Sequence, residues 1–264
     1  FIEQEVDYCI IEAGMGGRLD ATTALDYKAC LITNVGLDHT EYLGDTFEQI
    51  AYEKSGIFKP NVPALTTEDK PECQKVMELV ADYMNTPLCF IDCQETDILR
   101  WNGMTFRLNQ PLYQAKNLSL ALETLNVLGI WLEENEIQEV IDHFQWAGRF
   151  MILRKDPLVL LDGAHNVHGI TALTHSLKDF KGKIYFSVLK EKDAPHMIEL
   201  LQTISKDITL VEISSARLYP LEKLGYPIIT VDELISRLLD TKEASLLCGS
   251  LYYVGEVLEK WGNV

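Results

Sequence analysis

The sequence predicts an α/β protein built as two successive parallel-sheet units, and three observations carry that prediction. Short apolar runs alternate with amphipathic helical stretches along nearly the whole chain. Several of the runs end in loops that gather Gly, Asp, Asn and His, as strands of open parallel sheets do at their carboxyl ends. Near residues 145–149 the alternation pauses in a short polar stretch and then restarts.

Residues 6–11 and 29–33 read as strands, each feeding a Gly-containing loop. Helical periodicity covers 45–58: Asp45 with Glu48 three residues on suggests an N-cap pair, and Phe47, Ile50, Ala51, Lys54 and Ile57 share one face. An apolar run at 62–65, a helix at 71–84 and a strand at 88–91 follow. Trp101-Asn102-Gly103-Met104 carries the Asn-Gly hairpin signal, an antiparallel appendage. Helices at 114–128 and 134–144 close a first domain, 1–148. The second, 149–264, reads as strand 159–161, helix 167–177, strand 183–189, helix 194–204, strands 208–213 and 228–231, helix 232–239, strand 246–248 and a last helix.

Bulk properties narrow the function. A formal charge of −17 argues against a nucleic-acid partner, whose phosphates need a basic surface, but not against an anionic small molecule. No apolar run has membrane-spanning length, so no membrane partner is expected. The six cysteines form no CxxC pair and read as buried free thiols in a reducing, cytoplasmic compartment. Phe1 begins almost directly in an apolar run, with neither an initiator Met nor a signal-peptide pattern, which suggests upstream sequence.

Four segments carry chemistry. Glu12 leads into Gly14-Met15-Gly16-Gly17-Arg18-Leu19-Asp20, where glycines allow close backbone approach and three charges meet. That loop serves a ligand or only a tight turn, and it is not a dinucleotide fingerprint. His39, at the end of the next predicted strand, is either a structural histidine or a partner for Glu12 around one cation. Lys54 sits on the apolar stripe of its helix, so it must snorkel to the edge, find partners or lose its proton. The strand 158–161 runs into Asp162-Gly163-Ala164-His165-Asn166, and Arg149 near the boundary is a surface arginine or a phosphate contact.

Together these segments resemble the folylpolyglutamate synthase and dihydrofolate synthase family of Mur-type ligases. The resemblance lies in EAGMGGRLDAT at 12–22, ITNVGLDHTEYLGDT at 32–46, IAYEKSGIFKP at 50–60, WAGRF at 146–150, LDGAHNVHG at 161–169 and CGSLYYVGEV at 248–257. The implied fold is the remainder of a P-loop-type parallel-sheet ATPase domain followed by a smaller Mur-ligase-like C-terminal α/β domain. The implied reaction is ATP-dependent addition of L-glutamate to a folate through an acyl phosphate. By the same resemblance Glu12 and His39 are Mg²⁺ ligands, Lys54 is a carbamylated lysine, and Leu19, Asp20 and Ala21 line the folate site. Asn117, Arg149 and Asp162 contact ATP; His165 is catalytic and near the incoming glutamate, with Ser250 and Tyr252 as helpers. The whole protein is expected to be a monomer. Another Mur-type amino-acid ligase, or a non-catalytic folate- or nucleotide-binding relative, are the alternatives.

One departure stands out. The family carries a GxxGKS-type phosphate loop ahead of the segment matching Glu12, and none of these 264 residues forms that motif. Asp-Ala-Thr-Thr at 20–23 ends in Thr where relatives often have Asn. The expectations are therefore a chain that is inactive by itself, an exposed edge or face on the first sheet, a compact second domain, and Glu12 close to His39.

Overall fold

The structure, a computed structural model, describes residues 2–262. The chain divides into two compact units, Phe1–Arg107 with Gln114–Ile137 and Leu108–Tyr113 with Gln138–Val264.

The first unit holds a three-stranded parallel sheet of β1 (Cys30–Ile32), β2 (Ala64–Thr66) and β3 (Leu88–Phe90), in that order, with Cys30 opposite Ala64 and Ala64 opposite Leu88. All three residues of central β2 are buried, so its sequence shows no alternation. Three helices follow β1 and β2: α1 (Thr40–Leu43), α2 (Phe47–Ser55) and α3 (Pro71–Met84). Ile50, Ala51, Phe58, Cys73, Met77 and Ala81 form the core with the strands. The bounds of α3 match the sequence expectation because Pro71 opens it and Asn85, at φ 53°, closes it in the left-handed region.

Helix α2 starts later than the periodicity suggested. Its cap is Thr46, whose hydroxyl accepts from the Gln49 amide while Gln49 Oε1 accepts from Thr46 N, so a Thr46/Gln49 box replaces the expected Asp45/Glu48 pair. The Asn-Gly hairpin forms as expected between β4 (Ile98–Trp101) and β5 (Met104–Arg107), with Asn102 and Gly103 at φ 47° and 81°. Helices α4 (Gln114–Val127) and α5 (Glu134–His143) follow.

The expected strand at 6–11 is absent. Tyr8 and Ile10 are 63% and 92% exposed, and no described strand pairs with β1 on its outer side. Without a neighbour to take its backbone N–H and C=O groups, an apolar segment has no reason to adopt a ladder conformation.

The second unit holds a six-stranded sheet in the order β10-β9-β8-β11-β7-β6, comprising β6 (Met151–Lys155), β7 (Leu158–Asp162), β8 (Gly182–Phe186), β9 (Ile208–Glu212), β10 (Ile228–Thr230) and β11 (Ala244–Cys248). Only β6 runs antiparallel to its neighbour, with a register irregularity between Ile152 and Arg154. The sequence reading placed no strand there, because that bulge breaks the period-two pattern.

Alternate strand residues feed two cores. Leu160, Ile184, Phe186, Leu210 and Leu246 pack with α6 (Val167–Ser176) and α7 (Ala194–Leu201). Val159, Leu161, Tyr185, Val211 and Leu247 pack with α8 (Val231–Asp240) and α9 (Leu251–Trp261). Of the six thiols, Cys30, Cys73 and Cys248 are buried, whereas Cys9 and Cys89 are exposed and Cys93 is intermediate, so burial holds for half of them.

Candidate functional site

In the first unit the Gly-rich loop is folded upon itself and docked on the end of α2. The Asp20 carboxylate accepts from Gly14 N at 2.8 Å and Met15 N at 3.0 Å through one oxygen, and from Thr22 N at 3.0 Å and Thr22 Oγ1 at 2.6 Å through the other. These donors, the Thr22 hydroxyl foremost, lower its pKa to about 2. Asp20 thus closes the loop as an internal staple. Leu19 beside it is 81% exposed, and Ala21 begins an exposed 3-10 turn.

Docking depends on two glycines. A Cβ on Gly56 would lie 2.2 Å from Arg18 Cα, and one on Gly17 would lie 2.7 Å from the Lys54 carbonyl oxygen. The loop backbone therefore passes directly over the last turn of α2. Arg18 N donates to the Glu53 carbonyl at 2.8 Å, and its guanidinium binds the Glu53 carboxylate and lies over Tyr52.

Lys54, within that last turn, is half-buried. Burial pushes its pKa below the ordinary lysine value, and the negative charge of Asp38 works the other way. Asp38 precedes His39, whose backbone sits in the left-handed region at φ 52°. Glu12 and His39 are both exposed, and Glu12 ends no strand, so the expected placement of the two at adjacent strand ends does not hold. Among the described residues no group of three or more His, Cys, Asp or Glu is gathered for a metal.

In the second unit the expected residues do come together. Cys248 of β11 pairs with Asp162 of β7, so the loops after these strands leave side by side. Asp162 is 3% exposed; its carboxylate accepts from Phe150 N at 2.8 Å and Ala164 N at 2.7 Å. Burial raises its pKa, opposed by those two amides and by the Arg149 charge. A Cβ on Gly163 would meet Leu251 at 2.4 Å and Arg149 Nη1 at 2.8 Å, which fixes glycine there. His165 is half-buried, with Nδ1 2.8 Å from the Gly163 carbonyl oxygen, a contact that holds the ring by donating to that oxygen. Ser250 is buried and caps α9 by accepting from Tyr252 N. Tyr252 is exposed, and Arg217 lies over its ring while donating to its hydroxyl at 3.4 Å. Asn117 belongs to the first unit, exposed in the first turn of α4, where its amide donates to Gln114 Oε1 at 2.7 Å.

Sequence reasoning missed Asp38 as the charged neighbour of Lys54, Tyr113, and Glu68. Tyr113 has its hydroxyl pKa raised by burial and then by Asp162. Asp38 lies within a quoted motif, Glu68 just past β2 and Tyr113 just ahead of α4, but none is periodic, and only tertiary proximity reveals it.

With the geometry in hand, comparison with known proteins is informative. Residues 1–120 match the Mur ligase middle domain. The chain is 28% identical to dihydrofolate synthase/folylpolyglutamate synthase of Bacillus subtilis, over 97% of this chain and 68% of that protein. It superposes on Escherichia coli FolC in complex with ADP with a TM-score of 0.82 at 28% identity, covering 95% of this chain and 66% of that one. The chain is thus similar to folylpolyglutamate synthase and dihydrofolate synthase proteins along nearly its whole length. A second solved structure, a bifunctional folylpolyglutamate synthase/dihydrofolate synthase with Mn, AMPPNP and L-glutamate bound, superposes with a TM-score of 0.80 at 25% identity over 95% of this chain and 66% of that one. The present chain spans about two thirds of the length of these relatives. No helix among the described residues is long and apolar enough to cross a membrane.

Proposed function

We propose that the protein is an ATP-dependent ligase that joins L-glutamate to a folate, acting as a folylpolyglutamate synthase with dihydrofolate synthase activity as a second capacity. The likeness to ADP-bound FolC over 95% of the chain carries this reading. In the reaction, a folate carboxylate oxygen attacks the γ-phosphorus of ATP, the bond to the bridging oxygen breaks, and ADP leaves. The glutamate amine then attacks the acyl carbon, a C–N bond forms, phosphate departs and the amine loses a proton. Little covalent chemistry falls to the protein, so its work is positioning and charge neutralisation.

Roles follow from residue chemistry. Leu19 and Ala21 offer exposed surface to the folate while Asp20 holds the loop that presents them. Asn117, Arg149 and Asp162 are assigned to ATP, and His165 with Ser250 and Tyr252 to the incoming glutamate. A divalent ion, Mg²⁺, would neutralise phosphate charge. Glu12 and His39 supply only two protein donors, which fits an ion that keeps several waters and shares the nucleotide phosphates. Carbamylation of Lys54, whose depressed pKa favours the reactive neutral amine, would add an anionic oxygen donor.

An isotope experiment tests the reading. The protein expressed from its complete reading frame is incubated with ATP, glutamate and a folate labelled with ¹⁸O in its carboxylate. Label in the released phosphate is the expected result; unlabelled phosphate beside amide product would rule out the acyl phosphate.

A further inference from the structure

A polar cluster outside the assigned residues follows β2, at Glu68-Asp69-Lys70. We propose that Glu68 and Lys70 are positioning residues: together they clamp the 34–39 loop that carries Asp38 and His39, and Asp69 extends the tie to α4 beside Asn117. The proposal deepens the ligase reading and rests on it for the roles of Asp38, His39 and Asn117.

Glu68 is buried, with 0% of its side chain exposed. Its carboxylate accepts from Val35 N at 2.5 Å, Lys70 N at 2.8 Å, Asp69 N at 3.1 Å and Lys70 Nζ at 3.1 Å. Lys70 Nζ turns back to the Val35 carbonyl at 3.0 Å and lies 5.4 Å from the centre of the Phe47 ring. Both backbone polar groups of Val35, itself 0% exposed, are thus held by one ion pair, its carboxylate buried and its ammonium half-buried. Thr67 Oγ1 donates to the Thr33 carbonyl at 2.7 Å, so the loop is fastened at two neighbouring points. Three residues past Val35 lies Asp38, whose charge acts on Lys54.

On the other side, Asp69 accepts from Lys116 Nζ at 2.7 Å, and Lys116 also lies 3.7 Å from Glu95. Lys116 immediately precedes Asn117 in the first turn of α4. Three consecutive residues therefore tie the segment bearing Asp38 and His39 to the start of the helix bearing Asn117.

A buried ion pair is a poor device for stability alone, since apolar side chains of similar size often serve as well or better. A carboxylate with four donors does fix the direction of a loop, because each donor must point at it. Groups that orient ligand-bearing residues in this way are worth about tenfold to a hundredfold in affinity.

The test compares wild type with Glu68→Leu/Lys70→Met, which removes both charges together, so that neither is left without its counter-charge, and releases both backbone polar groups of Val35, in the 264-residue chain. Amide exchange is followed at residues 35–39, with the denaturation midpoint as a control and Mn²⁺ alone as a paramagnetic probe of His39. The expected result is exchange about tenfold faster at 35–39 with little change in midpoint, and about tenfold more Mn²⁺ needed to broaden His39. Unchanged exchange at 35–39 overturns the clamp; faster exchange with undiminished Mn²⁺ broadening overturns its positioning role. Should the double variant not fold, Lys70→Met keeps the carboxylate and its backbone donors and reads the contribution of the ammonium by the same exchange. If Mn²⁺ broadens nothing even in wild type, the metal assignment of the ligase reading fails, and the exchange rates still decide the clamp.

Discussion

Arg18 holds Glu53 by both its side chain and its backbone: Nε and Nη2 reach the carboxylate at 3.0 and 2.8 Å, and the amide reaches the carbonyl at 2.8 Å. The side-chain pair is open to solvent, with 42% of the Arg18 side chain exposed, whereas the backbone approach at Gly56 leaves no room for a Cβ. Arg18→Met is therefore expected to leave the denaturant midpoint nearly unchanged. Gly56→Ala is expected to cost about 1–3 kcal/mol, because the loop must lift from α2. Denaturant midpoints of the two variants check the ranking, and equal costs would contradict it.

Asp20 titrates about 2 because the Thr22 hydroxyl, the Thr22 amide and the Met15 amide all favour its charged form. A folded value below the unfolded one means that its contribution is present above the ordinary Asp value, about 3.9, and is lost as pH falls through about 2. Between these values amide exchange at 14–22 should rise. Asp20→Ala should show the same fast exchange at pH 7, together with weaker folate binding. A carboxyl titrating at the ordinary value by NMR would contradict the staple.

Lys54 shifts in the same direction as Asp20, but here it is the charged form that the fold disfavours. Its folded pKa lies below the unfolded one, so the unfolded chain binds more protons in the interval and stability rises with pH across a window ending near 10.5. Lys54→Met removes a half-buried charge and is expected to raise the melting temperature by about 2–4 °C at pH 7, while abolishing ligation. A variant melting below wild type, or one that still ligates, would show that the charged amine is well accommodated and dispensable.

His165 stands just past β7 with its ring held by the Gly163 carbonyl. His165→Ala is expected to lower kcat about a hundredfold while leaving the KM for ATP nearly unchanged. Steady-state kinetics with each substrate varied in turn make the check, and unchanged turnover at saturating glutamate refutes the role.

Much of this architecture was legible in the sequence, for reasons visible in particular residues. Pro71 and Asn85 mark both ends of α3, Asn102-Gly103 dictates its hairpin turn, and the unbroken apolar runs of β7 and β11 follow from helices covering both faces. The stretch 6–11 failed because apolar character predicts burial, whereas a strand also needs a neighbour for its backbone groups. At the site, motif residues around Gly163 could be named from their loops, since adjacent parallel strands bring consecutive strand ends together. Glu68 could not, because a buried carboxylate and a solvated one look alike in sequence. What distinguishes it is Val35, thirty-three residues away.

The central claim, ligation of glutamate to a folate, is tested most directly by ADP release from the protein expressed from its complete reading frame. ATP, glutamate and a tetrahydrofolate acceptor are supplied together and then with each omitted. The account predicts release that requires both the folate and glutamate, with a product one glutamyl unit longer. Release that proceeds without the folate, or that requires a different amino acid, would contradict it.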